Sequence, residues 1–287
     1  MLKDLIHYWR SKVSKYVEIS KQIELVRKII AKAERSLTGS PEGYLRVCKS
    51  HGTNQFYYRE DKHTSHGRYL RKSDLDVARR LAQKEYDCQL LRVSNQLLKE
   101  LLLIRKRGAE RSMEVVYQEL TKVYDNCIPA KRELIKPHIL PDEMFVQNWL
   151  AVEYSGGLFA ADAAEIYSER GERVRSKSEK ILADKLMHMG IPYRYEYPTK
   201  LKYLGQVFTD FTLLDVRERQ EVKYEHFGMM QDPVYCNKAI VKIEDYEKSG
   251  YHLGENFLFT MESEEHVLDT RHFERLIRQR FMSDKNR

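Results

Sequence analysis

Three stretches of the chain place acidic residues where packing alone would not put them. The first opens at Arg175, where Glu179, Leu182, Leu186 and Met189 recur at helical spacing. That spacing sets the Glu179 carboxylate on the apolar face of a helix rather than the wet one. Ser176 offers it another use, because Ser-x-x-Glu is a capping box in which the glutamate closes the first turn. The second stretch, 207–214, is a β-branched and aromatic run with Asp210 at its middle. A buried, unpaired Asp is costly there, so a metal, a cation or solvent must compensate it. The third, 220–228, alternates: Glu221, Lys223 and Glu225 share one face of a strand, and Val222, Tyr224 and His226 the other. Two acids and a lysine beside an Asp-bearing strand have the chemistry of a divalent-cation site. Carboxylate oxygens suit Mg²⁺ or Mn²⁺, and a lysine can stabilise charge developing on a phosphate. The same pattern also makes an exposed face of cross-strand salt bridges.

The elements that must position these residues follow from breakers and periodicity. Residues 2–36 read as a helix with apolar positions at Ile23, Val26, Ile29 and Ile30, ended by Thr38-Gly39-Ser40-Pro41. Short strands at 44–48, 55–59 and 68–71 read as a small antiparallel ribbon. A long helix to about Arg107 follows, with Leu75, Ala78, Ala82, Gln89, Val93 and Leu97 along one face. A helix at 110–125, a Pro-containing connector at 128–141 and a helix at 142–154 complete this part. From 172 the order is helix (177–189), three strands (192–197, 206–214, 220–227), helix (234–248), strand (256–261) and helix (269–281). A strand, crossover helix and strand imply a mixed sheet covered by helices. The expected fold is α+β in two domains: a helical region with a β-ribbon over 1–170, and a mixed sheet flanked by helices over 171–287.

Residues 172–287 resemble the PD-(D/E)XK nuclease superfamily, the restriction-endonuclease-like fold. The resembling pieces are Arg175-Ser-Lys-Ser-Glu179 opening a helix, Thr209-Asp210-Phe211 on the second strand, and Tyr224-Glu225-His226-Phe227-Gly228 on the third. Pro233-x-Tyr235 then leads into a helix carrying Lys238 and Lys242, and Asn256-Phe-Leu-Phe-Thr260 forms the next strand. More narrowly, the chain is similar to bacterial proteins that carry such a domain behind a helical N-terminal region. The resemblance implies a metal-dependent nuclease: Asp210 as a metal-ligating acid, Glu225 or Glu221 as the second, and Glu179 as the helix acid. The sequence departs from the motif in having Thr209 where the motif has Pro, and Phe227, not Lys, two residues after Glu225. The lysine is then Lys223, of the literal Glu221-Val222-Lys223, or Lys242. The latter shares a helix face with Tyr235, Lys238, Ala239 and Tyr246.

Hairpin register separates the two acids. A turn centred on Arg217 and Glu218 sets 214 opposite 221 and 210 opposite 225, so Asp210 and Glu225 have Cβ atoms about 4.5–5.5 Å apart. Glu221 lies about 13 Å further along at ~3.3 Å per residue. Register thus favours Glu225.

The remaining signals concern partners. The net charge of +7 is uneven: residues 1–80 hold 18 Lys/Arg against 9 Asp/Glu, while 171–287 hold 20 against 20. A polyanion, expected to be DNA, is drawn first to the N-terminal arm. Tyr57, Tyr58, Arg59, Arg68, Tyr69, Arg71 and Lys72 interleave aromatics with cations, which suits bases and phosphates but also serves packing against a helix. Cys48-x2-His51 and His63-x2-His66 have zinc-ligand types, weighed against surface histidines and a core cysteine. Four widely spaced cysteines without a C-x-x-C fit a reduced cytoplasmic compartment. No apolar run reaches membrane length, and the charged N-terminus is unlike a signal peptide. P-loop, Rossmann and zincin motifs are absent from the sequence. The expectation is a cytoplasmic, Mg²⁺- or Mn²⁺-dependent nuclease acting on DNA, with a non-catalytic nucleic-acid-binding or assembly protein of the same fold as its rival.

Overall fold

The computed structural model describes residues 2–64, 66–107, 111–160 and 162–282, with side chains from residue 18 onward. The chain divides into two compact units, Met1–Met144 and Phe145–Arg287.

In the first unit, α1 (Leu2–Leu37) packs along α2 (Leu75–Arg107). Ile19, Ile23, Val26, Ile29 and Ala33 form a stripe at three- and four-residue spacing and meet Ala78, Leu81, Ala82, Leu90, Leu97 and Leu101. Burying each large aliphatic side chain contributes about 1.5–3 kcal/mol. The buried stripe of α2 differs from the expected one: Gln89 is exposed, and the stripe runs through Tyr86, Asp87 and Ser94. Counting apolar residues missed it because two of its members are polar. Asp87 is fully buried, accepts hydrogen bonds from the Ser36 and Gln83 side chains, and has His138 Nε2 2.9 Å away.

The ribbon is a three-stranded antiparallel sheet, β1 (Tyr44–Ser50), β2 (Thr53–Arg59) and β3 (Arg68–Tyr69). Its first turn is His51-Gly52, with φ of 50° and 78°, the left-handed pair a two-residue hairpin favours. Leu45, Val47, Phe56 and Tyr58 face the helical core. Beyond α2 come α3 (Met113–Asp125), capped by Ser112, and the one-turn α4 (Pro129–Arg132) inside the expected connector. α5 (Asp142–Leu150) spans the division between the units.

That division falls at 144/145, not at the expected 170/171. Residues 145–170 belong with the second unit because they bond into it. Trp149 Nε1 donates to Glu221 at 2.9 Å, the Tyr154 hydroxyl to the Tyr195 carbonyl at 2.8 Å, and Gly157 N–H to Glu196 at 3.1 Å. The sequence offered no apolar periodicity here, since much of 151–165 is irregular and exposed.

The second unit continues with a two-residue pair, β4 (Ile166–Tyr167) and β5 (Arg173–Val174), then α6 (Lys177–His188), β6 (Tyr193–Leu201), β7 (Gly205–Asp215), β8 (Gln220–Phe227), α7 (Pro233–Lys248), β9 (Phe257–Met261) and α8 (Thr270–Phe281). The sheet order is β6-β7-β8-β9; the first three are antiparallel neighbours, and β9 runs parallel to β8 across the α7 crossover. The fold is α+β with a mixed sheet flanked by helices. On one sheet face Tyr193, Tyr195, Phe211, Leu213, Val222, Tyr224 and Leu258 pack against Leu182 and Leu186 of α6 and Phe273 and Ile277 of α8. On the other, Leu201, Phe257, Val207 and Phe259 pack against Tyr246 and Ile243 of α7. Among the described residues, no helix is long and apolar enough to cross a membrane.

Candidate active site

The site begins with an irregularity in the sheet. Tyr193 and Tyr195 of β6 lie on the α6/α8 face, yet Leu201 of the same parity lies on the α7 face. In β7 likewise, Leu213 and Phe211 face α6 and α8, whereas Thr209 contacts the Tyr246 hydroxyl at 2.8 Å and Val207 joins the α7 cluster. Both strands therefore exchange faces, at positions 196 and 210, which the pairs Tyr195↔Phe211 and Tyr197↔Thr209 bracket. Glu196 makes the exchange with a left-handed φ of 48°. Asp210 makes it where the β7–β8 ladder ends, one step past Phe211↔Tyr224. Its carboxylate turns toward β8 and accepts the His226 backbone N–H at 2.7 Å, replacing a ladder carbonyl.

The register matches the one derived from the turn: Leu214 pairs with Glu221, and 210 falls opposite 225 by continuation. β8 keeps its alternation, so Glu225 points to α7. There Glu225 is 1% exposed and both its oxygens are engaged. Lys242 Nζ donates to Oε2 at 2.8 Å, and the Tyr246 hydroxyl donates to Oε1 at 2.6 Å. Lys242 and Tyr246 are one helical turn apart on α7, and the Tyr246 ring stacks on Phe257 with centroids 4.4 Å apart. Burial and then the neighbouring Glu225 carboxylate push Asp210 well above the usual carboxylate range; Glu179 adds to this, and Lys242 and the His226 N–H oppose it. Burial pulls Lys242 down, but Glu225 and Asp210 outweigh it and hold the ammonium above its ordinary value.

Glu179 sits at the third position of α6, with Ser176 as N-cap. Its Oε1 accepts from Ser176 Oγ at 3.1 Å, and its Oε2 from the Arg175 backbone N–H at 3.0 Å and the Tyr195 hydroxyl at 2.6 Å. The capping reading is realised, with the backbone bond going to Arg175, one residue ahead of the cap. Glu179, expected among the metal ligands, makes these bonds here and adds to the upward shift of Asp210.

Lys223 is also placed differently from the expectation that it joins the site. It is 3% exposed and donates to Thr212 Oγ1 at 3.2 Å and to Glu221 Oε2 at 3.1 Å. Glu221 meanwhile accepts from Trp149, and the Arg194 guanidinium lies 4.0 Å over the Trp149 ring. The literal Glu-x-Lys pair thus anchors α5 to the sheet, while Lys242 is the lysine at Glu225. Both lysines share the α7 face, but two residues of strand, about 6.6 Å, separate Lys223 from Glu225.

The residues around Asp210 and Glu225 suit a hard divalent ion in donor type and in charge. Carboxylate oxygens are its preferred ligands, and two acids, Glu225 and Glu179, act on Asp210 against one ammonium. Among the described residues, however, no group of three His, Cys, Asp or Glu side chains converges as a metal cage. This holds for Glu179 with Asp210 and Glu225, and for the zinc set. Cys48 is half-buried, while His51, His63 and His66 lie exposed in polar turns. Sequence reasoning named Tyr246 only as a face neighbour of Lys242 and did not find Tyr195, Glu196 or the His226 N–H. Glu196 lies opposite Asp210 in register, which becomes visible once β6 and β7 are paired.

No family model matches the sequence, and neither a curated protein nor a solved structure does.

Proposed function

We propose that the second unit is a metal-dependent nuclease that hydrolyses phosphodiester bonds in DNA. The observation that carries this reading is the juxtaposition of Asp210 and Glu225 where β7 and β8 part, with Lys242 on Glu225. Asp210 and Glu225 would hold Mg²⁺ or Mn²⁺. Bound there, the ion would activate a water and polarise a phosphoryl oxygen for in-line attack. The Lys242 ammonium, held charged by the two acids, would neutralise charge developing on the phosphate. Tyr246 fixes the rotamer of Glu225, and the His226 N–H fixes that of Asp210. The likeness of Arg175–Glu179, Thr209-Asp210-Phe211 and Glu225 to PD-(D/E)XK motifs supports the same reading, with lysine displaced onto α7. Charge supports a polyanionic partner: the first unit holds 29 Lys/Arg against 19 Asp/Glu, the second 21 against 24.

A second reading, a non-catalytic nucleic-acid-binding or assembly protein with this fold, is favoured by one observation: Glu225 already spends both oxygens on Lys242 and Tyr246. A cleavage assay on plasmid, linear duplex and single-stranded DNA and on RNA, with Mg²⁺, Mn²⁺ or EDTA, separates the two. Metal-dependent cleavage of DNA that Asp210→Ala abolishes supports the nuclease; cleavage no greater than that of Asp210→Ala on every substrate supports the rival.

A further inference from the structure

We propose that the outer face of the β1–β3 sheet is a binding platform for single-stranded nucleic acid. The proposal rests on the nuclease reading only for the class of partner, and it concerns the first unit alone. Its starting point is the division of the sheet into two faces. Leu45, Val47, Phe56 and Tyr58 are consumed by the helical core. Alternation then sends Tyr44, Arg46, Tyr57, Arg59 and Tyr69 to the opposite face. The register pairs Tyr44 with Arg59, Arg46 with Tyr57, and Tyr57 with Tyr69. Across and along the strands, aromatic and cationic side chains therefore alternate.

Tyr69 is 50% exposed and Tyr44 36%, and Tyr57 is half-buried. Tyr57 and Tyr69 meet edge to face with centroids 5.5 Å apart. Packing gives no reason for such rings outside a core that already has its apolar residues; one of them is large enough to stack a base, at about 1–3 kcal/mol per base. Three of the cations are turned to a ring or to a backbone carbonyl. Lys62 and Lys84 sit 5.4 and 5.6 Å over the Tyr44 ring, and Arg59 Nη1 donates to the Thr64 carbonyl at 2.6 Å. Arg68 does approach Asp74, but only to 3.9 Å, with its side chain 64% exposed. Residues 44–72 hold seven Lys/Arg against two Asp/Glu.

Geometry selects the strandedness. Tyr57 and Tyr69, directly opposed on β2 and β3, have ring centroids 5.5 Å apart, well beyond the ~3.4 Å per-strand rise of a stacked duplex. Bases that stack on such rings must be separated from one another, and in a duplex their faces are hidden in the base stack. An unpaired strand offers both its faces and a flexible backbone whose phosphates can follow Arg59 and Lys62.

The test measures binding by the full chain in EDTA, using fluorescence anisotropy of a labelled 15-mer oligodeoxythymidylate and of a 15-mer duplex. The single strand should bind more tightly than the duplex. Tyr57→Ala and Tyr69→Ala should each weaken single-strand binding by about fivefold or more, while Tyr57→Phe, which keeps the ring, should stay within about twofold of the parent. Arg59→Gln should flatten the log–log salt dependence by about 0.7, the slope for one phosphate contact on a single strand. Far-UV circular dichroism of each variant confirms its fold. Tighter binding to the duplex, no binding of the single strand, alanine variants that bind like the parent, or a Tyr57→Phe loss equal to that of Tyr57→Ala would each overturn the proposal. Because binding is read without metal, failure of the nuclease reading leaves these outcomes intact, and their failure leaves the cleavage assay intact.

Discussion

Replacing Lys242 by methionine isolates the electrostatics on which the site depends. The substitution keeps most of the aliphatic stem and removes the ammonium 2.8 Å from Glu225 Oε2. Glu225 is left 2% exposed at its side chain, beside an Asp210 that its charge already pushes upward. Removing one partner of a buried ion pair costs about 3–5 kcal/mol. Since the Lys242 side chain is 25% exposed, the lower end, about 3 kcal/mol, is the expected loss near pH 8. That corresponds to a fall in Tm of about 6–12 °C for a unit of this size. The sign with pH follows from linkage. Without Lys242, which opposes the upward shift of Asp210, the folded-state Asp210 carboxyl rises further above that of the unfolded chain, so stability is fully present below about pH 4 and is lost as pH rises through the folded value. The deficit of the variant should therefore be small at pH 5 and large at pH 8. Mg²⁺ in excess should recover part of it, because an ion bound only by the folded state stabilises by mass action. Thermal melts read by tryptophan fluorescence in a Trp9→Phe background report on the second unit through Trp149. A deficit of equal size at both pH values would refute the ion-pair argument, and a deficit at pH 8 untouched by Mg²⁺ would refute the cation site.

Tyr246→Phe removes the hydroxyl that donates to Glu225 and should cost about 1.5–3 kcal/mol in denaturant melts, with a parallel loss of cleavage; a neutral result would mean that Glu225 finds another donor. Gly157→Ala would bring a Cβ to 3.3 Å from Phe208 and 2.6 Å from Arg175 Nη2, which cannot yield without loosening its bonds to Glu196 and the Leu158 carbonyl. It should destabilise the second unit by about 1–3 kcal/mol, whereas Gly156→Ala, whose nearest contact is 3.4 Å, should be much milder. Burial raises Glu221, but Lys223, Trp149 and Arg194 outweigh it and hold the carboxyl below its usual range. Its stabilisation is thus present above the unfolded value, about pH 4.3, and lost as pH falls through the lowered folded value. Glu221→Gln should remove that acid limb from a Trp149 fluorescence titration, and an unchanged titration would place the transition elsewhere.

Much of this architecture was legible in the sequence because its signals are local. Breakers at Gly39, Gly190 and Gly250 and clear periodicity between them place α1, α6 and α7. The alternation in 220–227 gives the face of Glu225, and counting from the turn at Arg217-Glu218 sets it opposite Asp210. What stayed hidden depends on contacts between distant segments. The tie of residues 145–170 to the second unit runs through single hydrogen bonds such as Tyr154 to Tyr195, which leave no periodicity. The exchange of faces at Glu196 and Asp210 is invisible to a two-residue alternation rule, since that rule assumes a regular strand. Lys223 looked suited to the site because face was known, but its partner was not: Thr212 and Glu221 claim it first. One helix turn leaves Glu179 open to a cap or a ligand role, and Tyr195, sixteen residues away on another element, donates to it.

The assignment of Glu225 rather than Glu221 as the second acid concentrates the functional account into one comparison. Initial rates of Mn²⁺-dependent DNA cleavage should be measured side by side for the parent, Glu225→Gln and Glu221→Gln, each at matched folded fraction. Loss of partners outside a metal's own ligand set typically costs 10–100-fold, so removing a ligand should cost at least about a hundredfold. The account predicts that loss for Glu225→Gln and most of the parent rate for Glu221→Gln. A Glu225→Gln enzyme that cleaves like the parent, or a Glu221→Gln enzyme that is the inactive one, would contradict it.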